Sequence, residues 1–390
     1  MTISSVLAVS APSGVWANLI EWVHSWVGGG YGWTILVLIV LVKLVLSPLD
    51  YLIKHSNKKT NLVQQKVAPQ LAKLQKKYGD NQQMIQQQTQ ALYKREGHSM
   101  IGSCVIMLVN LVLTMVIFFT LFSGLRTLSS YQSIQQYEHL HNTYVESVSS
   151  VYGSYDDYCT IVNKINTDGI ESLTEAEKAL WDGAMADAAA AVQNEWVNTA
   201  DSWLWIDNIW VTDGHKSPFP TLEALQEMAT SSKVEEYIDA TAKISDDVVL
   251  KTNYSQISSM IETKTGTWNG YYILAILSVG LSMLSQYITE LSNKHKNKTA
   301  QNIVNAANPQ NKSMWFMKLL LPVMMAIFVF TTNAAFGIYV VTNSIISIIT
   351  GSIINLIIGA VFKKKQAEVD EYLLKEANKI EKKANKGAAK

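Results

Sequence analysis

Positive charge is missing from the start of this 390-residue chain, whose first 42 residues contain no Lys or Arg and a single acid, Glu21. A secretory signal peptide begins with a basic region, so we expect this N-terminus to be retained. Cysteine is scarce as well. Cys104 and Cys159 stand far apart without nearby metal-binding partners, which predicts neither a disulfide framework nor a cysteine metal site.

Long apolar runs are what the chain does have. Hydrophobic residues make up 48% of the sequence, a share that by itself does not separate membrane from soluble proteins. Their distribution does, because runs of about 20 apolar residues are long enough to cross a bilayer. The sequence predicts five crossings, at residues 32–52, 101–125, 270–291, 315–336 and 337–362.

The charge of the connecting segments predicts the orientation of these crossings. Lys and Arg resist translocation, so segments rich in them lie on the cytoplasmic side. Residues 53–99 contain nine Lys or Arg, residues 292–318 contain five, and the tail from residue 363 contains nine. The long segment 127–268 has seven Lys against 22 acids and belongs outside. These assignments predict an N-terminus outside and a C-terminus in the cytosol.

The segments between the crossings also have helical patterns. Residues 1–31 contain an amphipathic stretch predicted to lie in the outer membrane interface, and 53–100 form a charged cytoplasmic helical hairpin. The hairpin is interpreted either as a solvated coiled coil or as a docking surface. Residues 126–269 form an acidic, helical extracellular insertion, 292–314 a cytoplasmic loop, and 363–390 a basic cytoplasmic tail whose expected role is topological anchoring.

Lys43 is the unusual residue of the first crossing, since a cation at bilayer depth costs roughly 2.5–3.5 kcal/mol on insertion scales. Lys43, Ser47 and Asp50 share one helical face. Three further crossings carry polar stripes at helical spacing: Asn110 and Thr114; Ser278, Ser282, Ser285 and Gln286; Tyr339, Asn343, Ser347 and Thr350. Such residues either join helices by hydrogen bonds or line a hydrated cavity, and Lys43 either reaches towards Asp50 or faces that cavity.

Several functions that use a membrane cavity lack their expected residues. No internal repeat is visible, which argues against a transporter. Apart from the end residues Asp50 and Glu290, the crossings contain no acid or histidine for a proton pump. No serine elbow or Ser/His pairing at membrane depth indicates a hydrolase. The remaining interpretation is a binding surface for something amphipathic.

At this point the chain resembles the YidC–Oxa–Albino membrane protein insertase family. The resemblance depends on short motifs and their order: KLVLSPL at 43–49, VAPQL at 67–71, YGD at 78–80, ALYK at 91–94, GSC at 102–104 with Asn110 six residues later, WLWIDNIW at 203–210, YYIL at 271–274 and YVVTN at 339–343. Three features differ from the family pattern. Lys43 replaces the usual Arg, Ile106 and Val112 occupy positions often held by proline, and about 55 residues extend the link before YYIL.

The resemblance implies an all-α integral membrane protein of the bacterial plasma membrane, with a five-helix insertase core. It further implies a hydrophilic groove open to the cytosol and lipid, whose cation is Lys43, and a role in inserting and helping to fold membrane proteins without bond chemistry. The expected partners are nascent membrane proteins and the lipid bilayer, with the ribosome and Sec translocon added by analogy, and no specific nucleic acid sequence. No cofactor or metal is expected. A non-insertase assembly scaffold is the main alternative, and a small-solute transporter a weaker one.

The predicted groove residues come from four crossings. They are Lys43, Ser47, Asn110, Thr114, Ser278, Ser282, Ser285, Gln286, Tyr339, Asn343 and Ser347.

Overall fold

The computed structural model describes residues 12, 14–79, 81–97, 100–212, 220–230, 248–265, 272–293 and 314–388. Within these ranges the chain is helical, and extended backbone pairs only at two isolated bridges, Trp203 with Ile206 and Thr212 with Asn333. The predicted all-α fold class is therefore confirmed for the described residues. The predicted cytoplasmic loop at 292–314 lies almost entirely outside them.

The helices, in chain order, are α1 (Val15–Val27), α2 (Tyr31–Tyr78), α3 (Gln82–Arg95), α4 (Met100–Tyr152), α5 (Tyr155–Asp168), α6 (Glu175–Thr199), α7 (Leu222–Thr230), α8 (Val248–Thr265), α9 (Ile273–Asn293), α10 (Met314–Thr331), α11 (Ala334–Val361) and α12 (Lys363–Ala388), with a short 3-10 segment at Ile170–Ser172.

Apolar helices occupy all five positions at which crossings are predicted. Three are long and apolar enough to cross a membrane: α2, residues Leu111–Tyr152 of α4, and α11. The apolar parts of α9 and α10, Ile273–Ile288 and Pro322–Thr331, are shorter. Large apolar side chains are exposed along these helices, as expected where a surface faces lipid rather than water.

Two helices are much longer than the crossings predicted within them. Helix α2 has 48 residues, about 72 Å at 1.5 Å per residue, and continues from the first apolar run into the charged hairpin. Helix α4 has 53 residues and continues from the second apolar run into the acidic insertion. The turn of the hairpin lies at Gly79, whose φ of +51° favours glycine, and Asn81 then caps α3 by accepting from the Met84 N–H.

The chain divides into two compact units. The first contains Met1–Leu38, Phe119–Leu277 and Ala326–Val341, and the second contains Ile39–Phe118, Ser278–Met325 and Thr342–Lys390.

The acidic insertion, in the first unit, has an apolar core of its own. The Tyr144 hydroxyl on α4 is 2.7 Å from the Tyr158 hydroxyl on α5, and the Tyr158 ring stacks on Trp181 of α6. The Tyr158 hydroxyl also donates to the Asn253 side chain of α8, at 2.9 Å. A capping box, formed by a threonine and a glutamate three residues apart, starts α6. The insertion is therefore a packed helical structure, which agrees with the helices that the sequence predicts there.

The tryptophan-rich segment at 203–210 holds the start of α11 in the same unit. The backbone N–H groups of Ala334 and Ala335 donate to the carbonyls of Val211 and Ile209, at 2.6 and 2.8 Å. These bonds satisfy two of the amides that every helix leaves unpaired at its N-terminus.

The second unit joins the C-terminal helix to the hairpin. Buried Leu62 of α2 packs with Phe362 and with Val369 and Leu373 of α12. The Lys73 ammonium forms an ion pair with Glu376 at 3.0 Å. The tail is therefore a docked helix, and its expected role in topological anchoring stays a prediction.

Candidate substrate groove

Lys43 is the cation at the centre of the predicted groove. Its side chain on α2 is partly buried, and no carboxylate of the described residues lies within 4.0 Å of its ammonium. Asp50 acts on it electrostatically from seven residues further along the helix, about 10 Å in axial rise. The ion pair with Asp50, considered as an alternative from the sequence, is therefore not formed in the described structure.

The neighbouring hydroxyl on this face has a different status. Ser47 is partly buried, and its hydroxyl donates to the Leu44 carbonyl of its own helix at 2.9 Å. Its hydroxyl proton is thus already used, although the oxygen can still accept a hydrogen bond. Thr350 on α11 behaves in the same way, donating to Ile346 at 2.8 Å.

The other candidate residues differ in burial. Ser278 is fully buried and Tyr339 nearly so, whereas Thr114 is exposed. Asn110 belongs to α4, but its side chain lies outside the described residues. The remaining candidates are all partly buried: Ser282, Ser285 and Gln286 on α9, and Asn343 and Ser347 on α11.

The division into units separates one candidate from the rest. Ten of the eleven predicted groove residues belong to the second unit, and Tyr339 belongs to the first. The second unit thus collects polar positions from α2, α4, α9 and α11, together with Lys43. The hydroxyl and amide groups at these positions can form hydrogen bonds with a ligand. The described residues contain no group of three His, Cys, Asp or Glu side chains suited to a metal ion.

Lys54 is a residue of this face that the sequence analysis missed. Its ammonium donates to the Gly351 carbonyl of α11 at 2.8 Å, and a Cβ on Gly351 would also lie 2.8 Å from that nitrogen. The sequence spacing alone places Lys54 on the same face of α2 as Lys43. Lys54 follows Lys43 by 11 residues, which is three helical turns, so both lie on the same face of α2.

Comparison with known proteins covers the first part of the chain. Residues 22–176 match the family model described as 60Kd inner membrane protein. The matched segment contains four candidate groove residues, Lys43, Ser47, Asn110 and Thr114, and ends before the others.

Individual relatives agree with that match. A protein of Xanthomonas oryzae pv. oryzae (strain PXO99A) named membrane protein insertase YidC is 33% identical over 120 residues, which is 30% of this chain and 19% of that protein. A protein of the same name from Clostridium perfringens (strain 13 / Type A) is 35% identical over 102 residues, 26% of this chain and 41% of that protein. No solved structure matches the chain with significance.

These matches are partial, since the aligned region spans about a fifth of the Xanthomonas relative and two fifths of the Clostridium one. The family model covers the part of the chain that contains the motifs between residues 43 and 104. The family resemblance inferred from those motifs is therefore confirmed: residues 22–176 are similar to the family described as 60Kd inner membrane protein, and the two relatives are each named membrane protein insertase YidC.

Proposed function

We propose that this chain is a membrane protein insertase of the bacterial plasma membrane. In this proposal the polar faces of α2, α4, α9 and α11 line a groove open to the cytosol and to lipid, with Lys43 as its cation. The observation that carries the proposal is a partly buried ammonium without a carboxylate within 4.0 Å among the described residues, inside the segment that matches the 60Kd inner membrane protein model.

The proposed topology places the N-terminus outside and the C-terminus in the cytosol. The lysine-rich hairpin and tail then lie on the same side of the membrane. The Lys73–Glu376 ion pair supports this arrangement, because residues in direct contact cannot be separated by a bilayer. The same reasoning applies to Lys58, which donates to the Gln366 side chain at 2.9 Å.

Groove chemistry of this kind is electrostatic and involves no bond making or breaking. Transfer of an unpaired polar group into an apolar environment costs roughly 2–7 kcal/mol, depending on the reference state. Lys43 attracts the acidic or polar outer segment of a substrate, and the groove hydroxyls and amides replace part of its water. The apolar segment of the substrate meanwhile moves along exposed apolar surfaces such as those at Ile353 and Leu356 of α11.

The partners in this proposal are nascent membrane proteins and the lipid bilayer. The ribosome and the Sec translocon are further candidates, for which the hairpin formed by α2 and α3 offers a basic surface.

Charge replacement at residue 43 tests the proposal. In vesicles reconstituted with the purified chain, Lys43→Arg should retain most insertion of a small single-span substrate that has an acidic outer segment. Lys43→Glu should reduce insertion by about tenfold or more, because it replaces attraction by repulsion at a partly buried site. Lys59→Glu is the matched control, since it makes the same charge change at an exposed position of the same helix.

The main alternative is an assembly scaffold that binds partner helices without moving polar segments. The hydroxyls of Ser47 and Thr350 are consistent with a scaffold, because both donate to carbonyls of their own helices and so do not donate to a substrate. A scaffold should be indifferent to the charge at residue 43. Equal insertion by Lys43→Glu and the wild type would therefore contradict the insertase proposal.

A further inference from the structure

A cavity of about 650 Å³ lies in the first unit, and none of the candidate groove residues is among the residues that line it. Its wall is built from the end of the apolar part of α4, the junction between α10 and α11, the tryptophan-rich segment, and α7 of the acidic insertion. Its volume is within the range of pockets that bind small molecules.

The cavity contains one of only two arginines in the chain. Arg126 follows the predicted second crossing directly and is exposed. No ion pair or hydrogen bond joins its guanidinium to another described residue. A planar guanidinium with free donors is well suited to binding the oxygens of a phosphate.

Several hydroxyls of the wall already donate hydrogen bonds to carbonyl oxygens of the protein. They are therefore not available as donors to a ligand. Thr127 donates to Ser123, Ser129 to the Trp210 carbonyl, and Thr332 to the Phe328 carbonyl, all at 2.7–3.0 Å. These groups present acceptors only.

Asn333 retains donors that point to an anionic ligand. Its side-chain oxygen caps α11 by accepting from the Phe336 N–H at 3.0 Å, which leaves its amide N–H groups available. The hydroxyl of Thr212 forms no hydrogen bond with the described residues either. Together with Arg126, these groups supply the wall with donors for an anionic ligand.

The balance of charge favours a phosphodiester over free phosphate. Glu227 is an acid of the same wall and already interacts with another group. A wall with one arginine and one acid is better matched to the single negative charge of a phosphodiester than to the nearly two charges of a free phosphate monoester at neutral pH.

Exposed apolar side chains on the same helices indicate where the rest of the ligand would lie. Phe119 of α4 is 56% exposed, and Ile327 and Phe330 of α10 are 58% and 48% exposed. Each lies within about two helical turns of a cavity residue on its own helix. Acyl chains gain free energy by covering such surfaces, whereas a soluble phosphate does not.

We propose that this cavity binds the phosphodiester headgroup of a membrane phospholipid, with Arg126 and Asn333 donating to the phosphate oxygens. Helix α7 supplies part of the wall, so the site ties the acidic insertion to the bilayer surface. The inference rests on the proposed membrane topology, but it does not require insertase activity.

Lipid binding to the full-length chain in mild detergent, followed by native mass spectrometry without any insertion substrate, tests the site. The probes are dihexanoyl-phosphatidylglycerol, the matching diacylglycerol without phosphate, and inorganic phosphate. The phospholipid should bind saturably, and the other two should bind at least about tenfold more weakly. Equal binding by the diacylglycerol would overturn the phosphate contacts, and full displacement by inorganic phosphate would overturn the lipid as ligand.

Two variants localise the binding. Arg126→Gln should weaken phospholipid binding by about tenfold or more, and Arg126→Lys by less. Asn333→Asp should weaken it similarly while preserving the cap of α11, because Asp supplies the same acceptor but repels phosphate. Arg95→Gln, at the other arginine of the chain, is the matched control and should bind normally. Unchanged binding in both site variants, or an equal loss in Arg95→Gln, would refute the site. Since no insertion is measured, a failure of the insertase proposal would not produce either result.

Discussion

Replacing His141 by glutamine is expected to remove a pH dependence from the stability of the acidic insertion. His141 is fully buried on α4, where its Nδ1 has no hydrogen-bond partner and its Nε2 is 3.5 Å from the Asn253 side-chain nitrogen. The Tyr137 ring lies beside it, 5.6 Å away between centroids. Burial lowers the pKa of His141 from 6.5 to about 4, because the apolar surroundings disfavour the charged ring.

The direction of the pH effect follows from which state binds the proton. Between pH 6.5 and about 4 the unfolded chain binds a proton at His141 and the folded chain does not, so the folded insertion loses stability as the pH falls. With these two pKa values the loss between pH 7 and pH 5 is about 2 kcal/mol, and it approaches about 3 kcal/mol at lower pH. Opening of the insertion should therefore become about 20-fold more frequent at pH 5.

Hydrogen exchange of the full-length chain in nanodiscs measures this opening. After correction for the intrinsic rate at each pH, amides at 134–148 of α4 should lose about 20-fold protection between pH 7 and pH 5 in the wild type, and much less in His141→Gln. His139→Gln, an exposed histidine two residues earlier, is the control and should resemble the wild type. Parallel pH profiles for the wild type and His141→Gln would refute the reasoning.

Two further predictions concern close packing in each unit. Gly32→Ala should lower the melting temperature, at a cost of about 1–3 kcal/mol, because the added Cβ would overlap the Trp203 ring; Gly183→Ala, where no atom lies within 4 Å of such a Cβ, should instead be neutral or slightly stabilising. An unchanged melting temperature for Gly32→Ala would contradict this contact. Leu373→Ala removes a fully buried side chain between α12 and α2 and should weaken the packing of α12 on α2 by about 2–5 kcal/mol. The expected result is faster tryptic cleavage of the lysine-rich tail. The adjacent and partly exposed Leu374→Ala should cleave at nearly the wild-type rate, and equal rates for the two variants would show that the tail is not docked through Leu373.

The features that the sequence predicts well are local and periodic. The helix at Val15–Val27, the hairpin turn near Gly79 and the five apolar stretches all follow from spacing that is visible within a few turns. The family resemblance was accessible for a related reason, since its motifs are contiguous and occur in a fixed order.

The features that the sequence could not predict depend on contacts between distant residues. Lys54 and Gly351 are 297 residues apart, and neither periodicity nor charge indicates that they meet. The docking of α12 could not be read from its composition either, since its apolar residues, such as Val369 and Leu373, are few among many lysines. The Arg126 cavity combines four separate segments of the chain, so its donors could be recognised only once their other hydrogen bonds were known.

The direct test of the groove is to ask what the polar part of a substrate touches. A photoreactive amino acid is placed at Ser282 or Asn343, which are partly buried, or at Leu284 or Leu356, which are exposed to 45% and 76%. Crosslinking to the hydrophilic outer segment of a stalled single-span nascent chain is then compared between these positions. The proposed mechanism predicts crosslinks from Ser282 and Asn343 that exceed those from the leucine positions. Crosslinks mainly from Leu284 and Leu356, with none from Ser282 or Asn343, would contradict it.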